Sequence, residues 1–570
     1  MTATRSSSRS ATEAEILVGR VLDALLREDF LRMRTAGRIV TRADGDWLRF
    51  LVGDRAAELA VREGRFQCVY EVRDPALVVD GQRVAGLDPV LDVLACGVKP
   101  VDLDGFADFR AECGQALAAV RGQDAAREGV VAALPEPGPG LLTGLRYDTL
   151  AAYEEHPVYP TGRCRHDLTE DELHRYAPEF APRFTLRWLG LPPELVDRQG
   201  ELPNWWPVHE DRIAVPVHPL TAERLLPELA ADLGLADTTT ISAVSVAPTL
   251  SMRTVAVLGD PGVHIKLPLP TSTLGRRNRR GIKPGTLSDG AITERLLRMV
   301  IAREPRFADR VLLADEQTYA QTGHEFLGFL VRRHPAGIGV AEVVSAAALL
   351  APDATGATVL AGLADRYFDG EPLALLDSYL TLLFDWQVTL LAYGIALESH
   401  QQNISLLLDA PGGRTRLRLL IRDNDGPRLH PGRLAAALGP DAPVAAGFDR
   451  IDDRRMVVDR VGALVDVFTT ITVHLCAAAP MFALPAEQAE AGLDLVRSRL
   501  AEAIGESPDA QLLRDSVLAA PVLPVKAMVT AGTLLTKQRS GAVDINKFYL
   551  RCGPNYLRAS GDTGPRRAAG

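Results

Sequence analysis

The stretch Gly394 to Arg428 sets Glu398, His400, Gln402 and Asn403 just before a hairpin and Asp423 and Asp425 just after it. Ile404 to Leu408 reads as a buried strand, Asp409 to Gly413 as a turn, and Leu417 to Ile421 as a returning strand. A hairpin of this length brings its ends together, so the two polar clusters are expected to share one site. Protein kinases and related phosphotransferases use an Asn ahead of a hairpin and an Asp beyond it to hold the metal ions on nucleotide phosphates. The chemistry first indicated is Mg-ATP chemistry. Asp423 and Asp425 could serve only as a turn, since Asp-Gly ends strands well, but their pairing with Asn403 across the hairpin favours a metal or nucleotide role. His400, in a polar loop beside Glu398, reads as a donor or charge-bearing group, whereas His474, within an apolar run, reads as a satisfied core residue.

A second cluster runs from Ser251 to Ala291. Ser251, Arg253 and Thr254 precede a strand, Lys266 lies within the next one, and Thr271, Ser272 and Thr273 lead into Arg276, Arg277, Arg279 and Arg280. A strand Lys supplies a compact charge for phosphate, hydroxyls supply directional donors, and Arg can clamp a carboxylate with two parallel hydrogen bonds. Isolated basic runs are commonly solvated faces. This one sits between a hydroxyl cluster and a strand Lys, and not all four arginines can be ligands. The His-Pro turns at His156-Pro157 and His218-Pro219 read as rigid loops, and Trp205-Trp206 as packing.

The elements that must position these residues are spread over 570 residues, too long for one ordinary core. An α+β multidomain chain is expected. A helix from about Thr12 to Phe30 would place Ile16, Leu17, Val21, Leu22, Leu25 and Leu26 on one face. Strands Arg38 to Thr41 and Trp47 to Val52, joined through Asp44-Gly45-Asp46, are followed by alanine-rich helical segments up to the linker Pro135 to Gly140. The divisions expected are 1–140, 141–370 and 371–570. Strands are expected at Arg212 to Val217, Val255 to Leu258 and His264 to Leu267, a long helix at Leu373 to Tyr393, and later helices near Met456 to Ala479 and Ala486 to Ala503. MTATRSSSRS at the start and the residues after about 560 read as frayed or disordered tails.

Composition narrows the function. The chain is 47% hydrophobic and 24% charged with a net charge of −10, so no global basic field suggests nucleic acid. Six scattered cysteines without CxxC spacing argue against a zinc site, an iron-sulfur cluster or a disulfide scaffold, and fit a reduced, cytoplasmic setting. The most apolar run, Leu380 to Leu397, contains Asp385, Gln387 and Gly394, and reads as a core helix rather than a membrane span.

In their order, the fragments EEHPVYPTGRCR (154–165), VPVHPL (215–220), SMRTV (251–255), HIKLPLPTSTLGRRNRR (264–280), ESHQQNISLLL (398–408), RDNDG (422–426), KAMVTAGTLLTKQ (526–538) and INKFYL (545–550) resemble the NRPS-independent siderophore synthetases, the IucA/IucC family. The resemblance implies a cupped hand of thumb, fingers and kinase-like palm. It also implies an enzyme that uses ATP and Mg2+ to adenylate a carboxylate, usually of citrate, and passes the acyl group to an amine or alcohol. On this resemblance Ser251, Arg253, Lys266, Thr273, His400, Asn403 and Asp423 would contact ATP, with Thr254, Ser272 and Gln402 beside them. Thr273, Arg277, Glu398 and His400 would face citrate or the acyl adenylate, and Glu398, Asn403, Asp423 and Asp425 would supply Mg2+ ligands. Lys266, Arg277 and His400 would carry the catalysis. A homodimer is implied too.

The chain departs from the family pattern at His218-Pro219-Leu220-Thr221, where Trp-Gln commonly follows His-Pro. The TSTLG form is similar to the branch that activates a prochiral arm of free citrate. The rivals are a small-molecule phosphotransferase, which lacks an Asp after His400 to act as base, and a ferric-siderophore reductase, to which the C-terminal region is similar but which needs a cysteine cluster.

Overall fold

In the computed structural model, which describes residues 11–208, 211–235, 238–505, 507–542, 544 and 547–558, the chain begins with helix α1 (Glu13–Arg27). Thr12 and Glu15 cap it reciprocally in a capping box. Its buried face is Leu17, Val18, Val21, Leu22, Leu25 and Leu26, whereas Ile16, expected on that face, is 52% exposed. The two terminal tails lie outside the described residues.

Strands β1 (Arg38–Arg42) and β2 (Gly45–Val52) form the expected hairpin. The following segment is not helical, as its alanines suggested. It continues as β3 (Arg55–Glu63), β4 (Tyr70–Val79) and β5 (Gln82–Ala85), completing a five-stranded antiparallel meander. Alternation explains the outcome, because Ala57, Leu59 and Val61 of β3 are buried against α1 and its neighbours. Helices α2 (Leu87–Ala95) and α3 (Leu103–Ala132) close this unit, and the Pro/Gly-rich segment joins α3 to α4 (Leu141–Ala151).

An eight-stranded antiparallel sheet follows. It contains β6 (Phe184–Leu191), β7 (Asp197–Gln199), β8 (Ile213–Val217), β9 (Thr240–Pro248), β10 (Thr254–Val257), β11 (Val263–Lys266), β13 (Asp315–Gln321) and β14 (Gly328–Arg333), in the order β7-β13-β14-β11-β10-β9-β6-β8. Trp206 is buried against Trp188 and Phe329, so the Trp pair does serve packing.

The expected hairpin forms from β17 (Ile404–Asp409) and β18 (Arg416–Ile421), with Ile404 opposite Ile421, while Asp409, read as part of the turn, extends the ladder opposite Arg416. It is the centre of a four-stranded sheet whose outer strands are β12 (Val311–Leu313) and β15 (Glu342–Ser345). That sheet therefore draws strands from both sides of residue 370. β12 runs into β13 through Ala314, whose N–H donates to Ile421 O at 3.0 Å. This joint brings the two sheets together at the end of the hairpin. Beneath it lie the largely buried helix Pro372–Ala392 and the helical run Val461–Phe482. The latter is long and apolar enough to cross a membrane, but 78% of its apolar window is buried in the protein.

The remaining short pairs are β16 (Ile395–Ala396) with β19 (Arg428–Leu429), and β20 (Val522–Lys526) with β21 (Tyr549–Pro554). His474 is enclosed between Tyr556 OH, at 2.7 Å, and Pro524 O, at 2.9 Å, as expected of a satisfied core histidine.

Candidate functional site

Alternation along β11 fixes one wall. Val263, Ile265 and Leu267 enter the core of the large sheet, so His264 and Lys266 take the opposite face. Thr254 of β10 lies directly across the ladder from Lys266. The Lys266 ammonium is buried and pairs with Asp423, and with Asp425 Oδ2 at 2.9 Å. Asp423 has a left-handed backbone, φ 64°, uncommon outside glycine but tolerated by Asp. Buried Glu316 of β13 holds it there by accepting the N–H groups of Asp423 (2.9 Å) and Asn424 (3.2 Å), and is itself paired with Arg332 at 2.6 Å. Burial would raise the Asp423 carboxyl pKa, but Lys266, Arg332 and Arg253 outweigh it and hold the group well below the usual carboxylate range.

The loop before the hairpin is tied by its own backbone. His400 N–H donates to Glu398 O and Asn403 N–H to His400 O, both at 2.8 Å, while Asn403 Nδ2 donates to Glu398 O at 3.2 Å. The Asn403 amide nitrogen is thus engaged within the loop, so an incoming cation would meet Oδ1. Gln402 contributes its carbonyl, which accepts from the Arg422 guanidinium at 2.8 and 3.1 Å. Glu398 does not join the two aspartates. It pairs with Lys547 at 2.8 Å and lies 3.8 Å from Lys526. Burial works against its charge, yet these lysines pull its pKa down to about 2. Burial lowers the pKa of His400 more than Glu398 and Asp423 raise it, so the ring is neutral near pH 7.

The facing loop, residues 268–285, has no long regular element. Ser251 Oγ accepts the Thr254 N–H at 3.0 Å, and the Arg253 guanidinium reaches Gly281 O at 3.2 Å. Ser272 takes part through its carbonyl, which accepts from His166 N–H at 3.1 Å. The four arginines divide. Arg276 and Arg279 are exposed and pair outward with Asp167 (2.5 Å) and Glu325 (3.0 Å). Arg277 and Arg280 are half-buried. Arg277 donates through Nη1 to Thr533 O at 2.8 Å, and Arg280 donates to Thr273 Oγ1. Burial and the cations Arg253 and Arg165 bring the Arg280 pKa down to about 9, with Asp423 and Asp425 opposing the shift.

Several contributors went unassigned in the sequence reading: Arg280, Glu316, Lys526, Lys547 and His156. The ring of His156 accepts the N–H groups of Val158 and Tyr159, and its pKa is lowered to about 3 by burial and then by Arg20, His400 and Lys526. Lys526 and Lys547 lie in the family-like fragments quoted above, which was the available signal.

The donor set fits Mg2+. Among the described residues no group of three or more His, Cys, Asp or Glu is arranged for a metal, but two carboxylates converge on one ammonium. Mg2+ is usually held by one or two carboxylates, with phosphates and water completing the octahedron.

Residues 145–351 match the sequence model of the IucA / IucC family. Residues 373–540 match a second model, described as ferric iron reductase FhuF-like transporter. A relative in Sinorhizobium fredii (strain NBRC 101917 / NGR234), the uncharacterized protein y4xN, is 27% identical over 414 residues, covering 63% of this chain and 64% of y4xN. The chain thus spans less than two thirds of that relative's length. In fold it is similar to the ATP-bound aerobactin synthetase IucA of a hypervirulent Klebsiella pneumoniae pathotype, with TM-score 0.71 and 19% identity over 96% of this chain and 100% of that one. It is also similar to the petrobactin biosynthesis protein AsbB of Bacillus anthracis str. Sterne, with TM-score 0.72 and 18% identity over 95% of each.

Proposed function

We propose that this protein is a siderophore-biosynthesis ligase that uses ATP to adenylate a carboxylate of citrate, or of a related polycarboxylate, and condenses it with an amine or alcohol. The observation that carries the reading is the convergence of Asp423 and Asp425 on buried Lys266, with Arg253 and Arg280 close enough to act on the same carboxylates. The match of residues 145–351 to the IucA / IucC family model supports it, as does the ATP named for the similar aerobactin synthetase. A homodimer is proposed on the family resemblance alone.

Asp423, Asp425 and Asn403 would hold Mg2+, which when bound offsets phosphate charge and stabilises the departing pyrophosphate. Lys266 and Arg253, with Ser251, Thr254, Ser272 and Gln402 around them, would bind and orient the phosphates. Thr273 and Arg277 would orient the carboxylate, and Glu398, paired with Lys526 and Lys547, belongs with these substrate-facing groups. A carboxylate oxygen attacks the α-phosphorus, the bond to the β-phosphate oxygen breaks, and pyrophosphate leaves. The acceptor nitrogen or oxygen then attacks the acyl carbon, loses its proton, and AMP departs with the C–O electron pair. Neutral His400 donates a hydrogen bond to the charge developing on phosphorus or at the oxyanion, a role of positioning and electrostatics that needs no covalent enzyme intermediate.

Incubating the purified protein with ATP, Mg2+, a panel of carboxylates and candidate amines or amino alcohols tests this. Pyrophosphate, AMP and a condensed product of the expected mass are predicted. Release of ADP without AMP would favour the phosphotransferase reading instead.

A further inference from the structure

Glu112, in the middle of α3, is fully buried and far in sequence from every residue assigned above. Its Oε1 accepts from Tyr159 OH at 2.7 Å and Thr161 Oγ1 at 2.5 Å, and its Oε2 accepts from Thr533 Oγ1 at 2.9 Å, with His166 Nε2 at 3.5 Å. A buried carboxylate is tolerated when such donors satisfy it. All three hydroxyls donate to it.

The bond to Thr533 has a consequence for the carboxylate side of the site. With its proton directed to Glu112, the Thr533 hydroxyl presents a lone pair, which accepts the Arg276 N–H at 3.0 Å. The neighbouring carbonyls hold Arg277: Gly532 O accepts its N–H at 3.0 Å, and Thr533 O its Nη1 at 2.8 Å. Contact is closest at Gly275, φ +115°, where a Cβ would lie 2.9 Å from Gly532 Cα. The other arm of Glu112 fixes Tyr159 and Thr161, and the same segment grips the start of the loop through Thr271 Oγ1 to His166 O at 2.7 Å. One carboxylate thus joins two separate segments that clamp the two ends of residues 271–280.

We propose that Glu112 is a positioning residue that sets the orientation of Arg277, and so the affinity for the carboxylate substrate, through Thr533. This rests on the proposed role of Arg277. Replacing Glu112 by Gln keeps the size but turns an N–H toward a hydroxyl that has been donating, so the relay loses its direction.

Two measurements on the full chain test it: hydrogen exchange of peptides covering 271–280 and 254–267, and steady-state KM for citrate and for ATP, on Glu112→Gln, Thr533→Val and Thr533→Ser. Glu112→Gln and Thr533→Val are expected to speed exchange in 271–280 only. They should raise the citrate KM about tenfold or more while the ATP KM stays within about twofold, and Thr533→Ser should restore both. Unchanged exchange in 271–280 for both disruptive variants overturns the proposal, as does equal loosening of 254–267 or an equal rise in both KM values. Faster exchange confined to 271–280, with the citrate KM unchanged, supports the relay but refutes the role given to Arg277. A wild-type protein that releases no pyrophosphate with any carboxylate refutes the functional reading, while the exchange data still decide the relay.

Discussion

The two walls of the site are built by different means. The hairpin wall hangs on a backbone ladder: β17 and β18 pair residue for residue, and the buried clamp of Glu316 on Asp423 and Asn424 fixes their outlet. The loop wall, residues 271–280, is held by His166 and by Gly532 and Thr533, with Glu112 of α3 behind Thr533. A ladder places charges rigidly where they must neutralise phosphate, whereas a loop held from several sides can be shaped to a particular carboxylate without disturbing the ladder.

The largest expected effect comes from removing the β11 cation on which the aspartates of the hairpin wall converge. Lys266→Ala leaves Asp423 and Asp425 facing each other without their cation. Removing one partner of a buried charge cluster costs about 3–5 kcal/mol, so urea denaturation is expected to show a loss of that order, together with loss of ATP turnover. A variant of wild-type stability would mean that the aspartates are not held by Lys266.

Next come Arg277→Ala and His400→Ala, one from each wall. Each is expected to slow carboxylate-dependent pyrophosphate release by about 10²–10³, the usual penalty for losing a donor aimed at developing charge, with an unchanged melting temperature. If both kept wild-type rates, the assignment of the site would be wrong.

A smaller effect probes what lies behind the hairpin wall. The π-helical segment Phe468–Ala478 supports the loop before β17, since Leu475 O accepts from Gln401 Nε2 at 2.6 Å and Cys476 Sγ lies 3.1 Å from Ser399 O. Burial lowers the pKa of His474 in this segment from 6.5 to about 4. The unfolded chain therefore binds the extra proton first. The stabilisation is complete above about pH 6.5 and declines as the pH falls towards 4, by at most about 1.4 kcal/mol per pH unit. His156, His218 and His334, each lowered to about 3, act with the same sign. Denaturation across pH 4–7 should show His474→Gln reducing the slope by roughly one proton's share.

The smallest effects are expected for Arg276→Ala and Arg279→Ala. Their exposed pairs with Asp167 and Glu325 are worth about 0–1 kcal/mol, and activity should stay within about twofold. A large loss of activity in either would overturn the division between outward and inward arginines.

The same contrast explains what could be read without coordinates. The hairpin was legible because two five-residue, mostly apolar runs flank Asp409 to Gly413, and its ladder sets Asn403 beside Arg422, next to Asp423. Lys266 was legible as the charged residue in an alternating strand. Glu112, Arg280, Lys526 and Lys547 were not, because their importance lies in contacts across more than a hundred residues that no local period encodes. β3 to β5 were missed because the alanines of Arg55 to Glu63 suit a helix locally, and sheet pairing overrode that preference. Ile16 was misplaced for the opposite reason: a helical face admits one more apolar residue than the packing uses.

The most direct test of the account is citrate-dependent exchange of labelled pyrophosphate into ATP, measured before any amine or alcohol is added. Exchange that requires citrate and Mg2+ and vanishes in Lys266→Ala is predicted, since adenylation alone is reversible at that stage. ATP turnover to ADP with no exchange under any carboxylate would contradict it.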